Sequence, residues 1–385
     1  MIVVQKFGGT SLKGSERLRE VAKWIIKNKQ EGNKMVIIVS APGGMTDSLI
    51  NEAKEMNTNP RGRELDMLLS VGEQISAALL AMGIEELGEK AVSFNASQLQ
   101  LKTNGEHNNA KILDISSEKI AEKLDDDYVV IVTGFQGVDD EGNITTLGRG
   151  GSDTSAVAIG AAIKAHKVEI YTDVDGVYTS DPRIIKDAKK IKNISFDEMI
   201  EMADKGSKVL HCRSVELASK YEIPIHLRSA FTWEEGTWIK KEKTMENSVV
   251  RGISNLNNLA NLKINLKNMD ELVDRLEENN INVKLFQQLS DSKFSILTEK
   301  EDALRFYKVL KKGGYSLELN DDLGMISVIG LGIASNNIPR KLAKILNLNE
   351  INIDSITSNQ TSVSYVISQN KLKNANAIFH RELFE

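Results

Sequence analysis

Residues Ile2–Ser11 read IVVQKFGGTS: a strand candidate over Ile2–Phe7, a glycine pair, then two hydroxyls. The same punctuation recurs in SAPGGMTD (Ser40–Asp47) and in GRGGSDT (Gly148–Thr154), each between strand-like and helix-like sequence. Working outward, Leu18, Val21, Ala22, Ile25 and Ile26 recur at helical spacing, and Met35–Val39 is a second strand ahead of a helix over Asp47–Met56. Leu65–Met82 reads as one largely buried helix. Tyr128–Thr133, YVVIVT, is a strand of the continuous apolar type found inside parallel sheets. An Ala-rich helix over Asp153–Ala165, a strand over Val168–Tyr171, helices over Phe196–Lys205 and Arg213–Lys220 and a strand over Ile225–Leu227 complete the pattern. Alternating strands and helices specify an α/β fold, a layered sheet with helices on both faces.

The glycine pairs carry the chemistry. Without a Cβ, backbone amides can approach an anion closely, and a helix starting just beyond adds free N–H groups and the positive end of its dipole. Any single pair on its own reads better as a tight turn. Three together, flanked by Ser and Thr and two of them accompanied by Lys6 or Arg149, point to an anion site at the carboxyl ends of the strands. Neither GxxxxGK[ST] nor GxGxxG after the first strand is present, so a dinucleotide fold is not supported. A fourth cluster, YTDVDGVYTSDPR over Tyr171–Arg183, places Asp173, Asp175 and Asp181 in loop positions. It lacks the EF-hand spacing, and surface turns and nucleotide contact both remain open for it.

Composition narrows the classes. At 385 residues, two or three domains are expected. A net charge of −5 offers no basic field for nucleic acid. The single cysteine, Cys212, excludes a disulfide framework and fits a reducing cytoplasm. The five histidines (His107, His166, His211, His226 and His380) form no metal or triad spacing, and no metal-ligating residues are assigned; His211 reads as packing or hydrogen bonding. No apolar run reaches bilayer length, and the N-terminus shows no leader pattern, so membrane insertion and secretion are disfavoured.

After a polar stretch over Glu234–Asn247, read as a linker, the pattern repeats on a shorter scale. A first βαββα unit runs through strand Ala260–Leu266, helix Asp270–Asn279, strands Ile281–Phe286 and Lys293–Thr298 and helix Asp302–Lys311, with Tyr315–Leu319 as a closing strand. A second runs through strand Met325–Gly330, helix Ile338–Leu346, strands Ile351–Ser355 and Ser362–Ile367 and a terminal helix from about Asn374. NNINVKLF and NEINIDSI hold the same place in each, an internal repeat in order of elements. The expected division is 1–235, 250–320 and 321–385, the last two a regulatory or dimerising appendage.

The segments KFGGTS, VSAPGGMTDSL, VGEQISAALLA, TTLGRGGSDTSA, YTDVDGVYTSDPR and GSKVLHCRSVELA, spread in order over the first 230 or so residues, closely resemble the aspartokinases. The paired βαββα units resemble, in topology, that family's tandem ACT domains. The resemblance implies transfer of the γ-phosphoryl group of ATP, with Mg²⁺, to the β-carboxylate of L-aspartate in amino-acid biosynthesis. It further implies a homo-oligomer built through the ACT units, and a lysine or threonine effector. Lys6 resembles the lysine that stabilises the transferring phosphoryl group, and Asp153 the acid that orders that lysine or the Mg²⁺–phosphate end, with an N-cap role also open to it. Gly8, Gly9, Thr10 and Ser11 resemble phosphate-binding donors. Ser40, Thr46, Glu73, Arg149, Gly150 and Ser152 resemble the aspartate pocket, Glu73 meeting the ammonium and Arg149 a carboxylate. Thr172, Asp173, Tyr178, Asp181, Arg183, Lys208 and Val209 resemble the nucleotide set, although Lys208 is also an ordinary solvated helix-end lysine.

The chain departs from the family in its ACT-like units. Neither Leu266–Asp270 nor Gly332–Pro339 holds the Pro-Gly pair that opens room for an effector, and the first unit is the more divergent. Rival readings are a kinase of glutamate or acetylglutamate, against which the Glu73 and Arg149 motifs argue, and a non-catalytic amino-acid sensor, against which Lys6, Asp153 and Lys208 argue.

Overall fold

The structure, a computed structural model, describes residues 1–241, 250–335 and 337–385. Two compact units emerge. The first comprises Met1–Val177, Lys190–Ala203 and Lys208–Thr244, and the second Tyr178–Lys189, Asp204–Ser207 and Met245–Glu385.

The first unit is built on an eight-stranded sheet in the order Asn193–Ile194, Thr237–Ile239, Ile225–Ser229, Lys167–Thr172, Ile2–Phe7, Lys34–Val39, Val129–Thr133, Ala91–Phe94. The six strands from Ile225–Ser229 to Ala91–Phe94 pair in parallel, with the continuous apolar runs of Met35–Val39 and Val129–Thr133 buried in the interior of the sheet. Helix Ser15–Gln30 turns Leu18, Val21, Ala22 and Ile25 onto the sheet, where they meet Ala77, Leu80, Ala81 and Ile84 of helix Val71–Glu86. Each of the Leu, Val and Ile side chains among them contributes roughly 1.5–3 kcal/mol on burial.

The expected single helix over Leu65–Met82 is two abutting segments, Arg63–Leu69 and Val71–Glu86. Taken together, Arg63–Glu86 is long and apolar enough by composition to cross a membrane, which corrects the expectation that no run is; half of its apolar window is buried inside the fold. The stretch read as a linker contains a strand, Thr237–Ile239, antiparallel to Ile225–Ser229. Residues 242–247 of that stretch lie outside the described residues.

A small four-stranded sheet, in the order Ile112–Asp114, Lys102–Thr103, Gln136–Val138, Ile144–Thr146, accompanies the large one. The third glycine pair leaves Ile144–Thr146 of this small sheet rather than a strand of the large one. It opens helix Gly151–Ala162, whose Ala156, Val157, Ala158 and Ile159 are buried.

The second unit carries one antiparallel six-stranded sheet in the order Val283–Ser290, Lys293–Glu299, Gly252–Asn265, Leu317–Ile329, Ser362–Ser368, Ile353–Ser358. Its helices are Met269–Glu278, Lys300–Lys312, Ile338–Leu348 and Leu372–Phe384. The expected closing strand at Tyr315–Leu319 and the strand at Met325–Gly330 are one strand, Leu317–Ile329, whose pairing with Gly252–Asn265 shifts register between Asn320 and Leu323, a bulge that carries the strand across the polar Asp321 and Asp322. Each βαββα repeat has its own core. Leu262, Ile264, Leu272, Phe294, Ile296 and Phe306 fill the first, and Ile326, Val328, Leu342, Tyr365, Ala375 and Phe379 the second. Of the Gly332–Pro339 segment, Asn336 lies outside the described residues.

Candidate active site

Strand Ile2–Phe7 lies between Lys34–Val39 and Lys167–Thr172, and the chain leaves toward opposite sides of the sheet from these neighbours. This is a topological switch point, where the loops beyond the carboxyl ends part and leave a crevice. The first two glycine pairs fall there. Gly8 donates its N–H to the Tyr171 carbonyl at 3.1 Å, and Gly43 donates to the Gly9 carbonyl at 2.8 Å. A Cβ on Gly9 would come within 2.7 Å of the Ala41 carbonyl oxygen, so only glycine lets these two loops touch.

Lys6, on the last turn of the strand before those glycines, forms an ion pair with Asp153 at 2.7 Å, both side chains nearly buried. The approach is close but is not aligned as a hydrogen bond, leaving Asp153 Oδ1 with unused acceptor capacity. Asp153 is the third residue of helix Gly151–Ala162; the N-cap position belongs to Gly150, which corrects the N-cap role considered for Asp153. Its carboxylate in the first turn lies at the positive end of the helix. Ser152 is buried close beside Gly134, where a Cβ would fall 2.9 Å from the serine Oγ. Ser11 Oγ and Thr133 Oγ1 are buried at the ends of this edge without partners among the described residues.

Glu73, in the first turn of helix Val71–Glu86, is only 3 % exposed. Its Oε1 accepts the Ala41 backbone N–H at 3.0 Å, which ties it to the second glycine loop, while Oε2 is buried without a partner among the described residues. Burial pushes the carboxyl up to about 7, with the backbone hydrogen bonds opposing the rise. A carboxylate poised near neutrality with one free oxygen is arranged to receive a cationic donor.

Lys6, Gly8, Gly9, Ala41, Gly43, Glu73, Ser152 and Asp153 thus form one connected neighbourhood. Ser40 joins it, donating its backbone N–H to the Phe7 carbonyl at 3.2 Å, and Thr10 is exposed beside Gly9. Thr46 is half-buried in the first turn of helix Met45–Met56. Thr172 follows the Tyr171 carbonyl that Gly8 contacts, and its hydroxyl donates to Asp173 at 3.0 Å. Arg149 is exposed two residues ahead of the Asp153 helix and makes no ion pair among the described residues; Gly150, at φ 70°, packs so tightly that a Cβ would lie 2.3 Å from His211 Cβ. His211 is therefore a packing residue, as expected. Lys208 is exposed and Val209 half-buried, and no ion pair among the described residues joins Lys208 to the Asp153 that Lys6 meets. Tyr178, Asp181 and Arg183 belong to the second unit, where Arg183 grips Asp181 through Nε and Nη2 at 2.7–3.2 Å.

Two residues that sequence reasoning missed hold the Gly148–Gly151 loop. Asp66 is fully buried and accepts from His107 Nδ1 at 2.8 Å, from the Asn108 backbone and from Thr146 Oγ1 at 2.5 Å. Arg213 donates to the carbonyls of Leu147 at 2.9 Å and Ala110 at 2.7 Å. Arg213 stood in a quoted motif, which was a usable signal; Asp66 had none. Elsewhere in the unit, Glu169 accepts from Gln5, Lys167 and Tyr171, and these donors with His226 hold it well below the usual carboxylate range despite burial.

A family model described as the amino acid kinase family matches residues 1–229. The chain therefore belongs to the amino acid kinase family. An aspartokinase of Geobacillus stearothermophilus is 42% identical over 388 residues, spanning 97% of this chain and 95% of that one. Within the family, the chain falls among the aspartokinases. Its fold matches E. coli aspartokinase III in complex with aspartate and ADP (R-state) with a TM-score of 0.84 at 24% identity, covering 100% of both chains. The same protein with lysine and aspartate (T-state) matches with a TM-score of 0.80 at 23% identity, again over 100% of both.

Proposed function

We propose that this aspartokinase transfers the γ-phosphoryl group of ATP to the β-carboxylate of L-aspartate, giving 4-phospho-L-aspartate and ADP. The observation that carries the reading is a pairing of opposites on two touching glycine loops: a buried cation, Lys6, and a buried acid, Glu73, with an unsatisfied oxygen. The substrate β-carboxylate is ionised at neutral pH and needs no general base. One of its oxygens bonds to the γ-phosphorus as the bond from that phosphorus to the β,γ-bridging oxygen breaks, and the electron pair leaves on ADP. Both reactants are anions, so the protein's task is positioning and charge compensation. Lys6, held by Asp153, meets the transferring group, and the Gly9 amide with Thr10 and Ser11 lines the phosphates, Gly8 serving by close backbone approach because its own N–H is taken by the Tyr171 carbonyl. Glu73 takes the substrate ammonium through Oε2, Arg149 a substrate carboxylate, and Ser40, Thr46, Gly150 and Ser152 border the pocket. Thr172, Asp173, Tyr178, Asp181, Arg183, Lys208 and Val209 serve the nucleotide.

Among the described residues no group of three or more His, Cys, Asp or Glu is placed to hold a metal. Asp153 would hold Mg²⁺ carried on the nucleotide phosphates, since this ion keeps several waters and takes only one or two carboxylates. It would supply neutralisation of phosphate charge.

Regulation by an amino-acid effector, lysine or threonine, is assigned to the second unit, in keeping with the lysine bound by the E. coli relative. Self-association is assigned to the same unit, whose sheet ends in two open edge strands, Val283–Ser290 and Ile353–Ser358. We place the reaction in a reducing cytoplasm, at the head of a pathway to lysine, threonine and methionine.

The test is ATP-dependent hydroxamate formation with aspartate, glutamate and acetylglutamate, each with and without lysine and threonine. Hydroxamate from aspartate alone is expected. Amino-acid binding without ATP turnover would instead make the chain a sensor. Arg149→Lys should raise the aspartate KM, because an ammonium cannot reproduce a bidentate carboxylate contact; an unchanged KM removes Arg149 from that role.

A further inference from the structure

The segment Tyr178–Lys189 sits in the middle of the kinase sequence but belongs to the second compact unit. Within that unit it is closed on itself and clamped. Thr179 donates its N–H to the Lys189 carbonyl at 2.9 Å and receives the Lys189 N–H on Oγ1 at 2.9 Å, while its carbonyl accepts from Ile253 N at 2.8 Å.

The terminal helix Leu372–Phe384 holds the same loop through two polar side chains one turn apart. His380 Nε2 lies 3.0 Å from Thr179 Oγ1, and Ser180 Oγ donates to Asn376 Oδ1 at 2.9 Å. Lys189 Nζ donates to the Phe384 carbonyl at 2.9 Å near the helix end. The helix is itself fixed: Leu372, Ala375, Ile378 and Phe379 belong to the second repeat's core, with Phe379 edge-on to Tyr365 at 5.5 Å.

Thr179, Ser180, Asn376 and His380 are 7 %, 2 %, 0 % and 1 % exposed. Four buried polar side chains at one junction are not what simple adhesion selects, since aliphatic groups of the same shape would hold the helix as firmly without desolvation. Asn376 even keeps a buried Nδ2 without a partner among the described residues. What directional bonds add is register: they set which loop atom faces which helix atom. One residue beyond Ser180 comes Asp181, bound to Arg183.

We propose that Asn376 and His380 are positioning residues for the nucleotide loop, fixing through Ser180 and Thr179 the main chain that presents Asp181 and Arg183. The inference rests on the reading that Asp181 and Arg183 meet the nucleotide. A shift of the terminal helix on its sheet then alters nucleotide affinity, because the loop moves with it.

The test uses the full chain, with ADP affinity by calorimetry and KM for ATP and aspartate by steady-state kinetics. Thr179→Val and Ser180→Ala remove single hydroxyls with little change of shape. His380→Leu removes the helix partner, and His380→Gln restores a polar atom near the Nε2 position. The expected result is a rise of about 5–20-fold in ADP Kd and ATP KM for the first three, of the size that one or two lost hydrogen bonds produce. Aspartate KM should stay within about twofold, and His380→Gln should recover most of the loss. Arg183→Ala separates the two layers. If it leaves ADP affinity unchanged, the nucleotide reading of the loop fails. If it weakens ADP while Thr179→Val, Ser180→Ala and His380→Leu do not, the positioning inference fails. Lowered unfolding midpoints with unaltered affinities in the folded variants, or no recovery with His380→Gln, also overturn it.

Discussion

With its carboxyl pushed up to about 7 from an ordinary 4.5, Glu73 keeps a proton near neutrality that the unfolded chain releases. Between those values the folded state binds more protons, so stability is highest below about 4.5 and falls as pH rises through 7. Glu73→Gln should remove that slope: relative to the variant, the native chain should lose about 3 kcal/mol of unfolding free energy between pH 5 and 8 in urea titrations. Equal slopes would place the charge elsewhere. Since a substrate ammonium favours the ionised form, kcat/KM for aspartate should also decline below about pH 7, and an acid limb absent from that region would separate Glu73 from the ammonium. Lys6→Ala should lower turnover by roughly 10²–10³, the scale of losing one transition-state donor, and near-normal turnover would remove Lys6 from the chemistry. Lys6 was legible because it ends a strand just before glycines. The Asp66 prop was not, because its meaning lies in a threonine and a histidine brought near only by folding; Arg213 lay within a recognisable motif, but the carbonyls it grips are likewise assembled only by the fold.

At the scale of elements, apolar continuity announced the interior parallel strand Val129–Thr133, and the glycine pairs announced where the chain leaves two others. The third pair misled as to its sheet: a strand of three residues, Ile144–Thr146, carries too little pattern to declare its neighbours. The break between Arg63–Leu69 and Val71–Glu86 was hidden for the opposite reason, since Ser70 at φ −64° and ψ −16° interrupts neither composition nor helical spacing. The Gly148–Gly151 turn offers a direct test. Gly150→Ala demands a left-handed alanine against the His211 ring, so it should destabilise the first unit by roughly 1–3 kcal/mol and depress activity. Pairing it with His211→Gly should recover part of the stability, because the steric share of the loss goes with the His211 Cβ and ring; equal losses in both backgrounds would assign the whole effect to backbone strain.

For the whole molecule, order of elements was readable and partition was not. The repeat NNINVKLF and NEINIDSI pointed to duplicated units, each of which has its own apolar core. Their strands nevertheless join in a single sheet through Gly252–Asn265 and Leu317–Ile329, and no local signal in a strand states which long-range partner it takes.

Gly252–Asn265 and Leu317–Ile329 each serve both repeats, the first supplying Ile253 to one core and Leu262 to the other. A chain cut near residue 316 would leave Gly252–Asn265 with a bare flank of unsatisfied amides and carbonyls and would strip Ile253 of its surroundings. Inheritance of this half of the protein is therefore all or nothing: a shortened descendant that kept one repeat would have to recruit a foreign ribbon, or a sister chain, to close the gap.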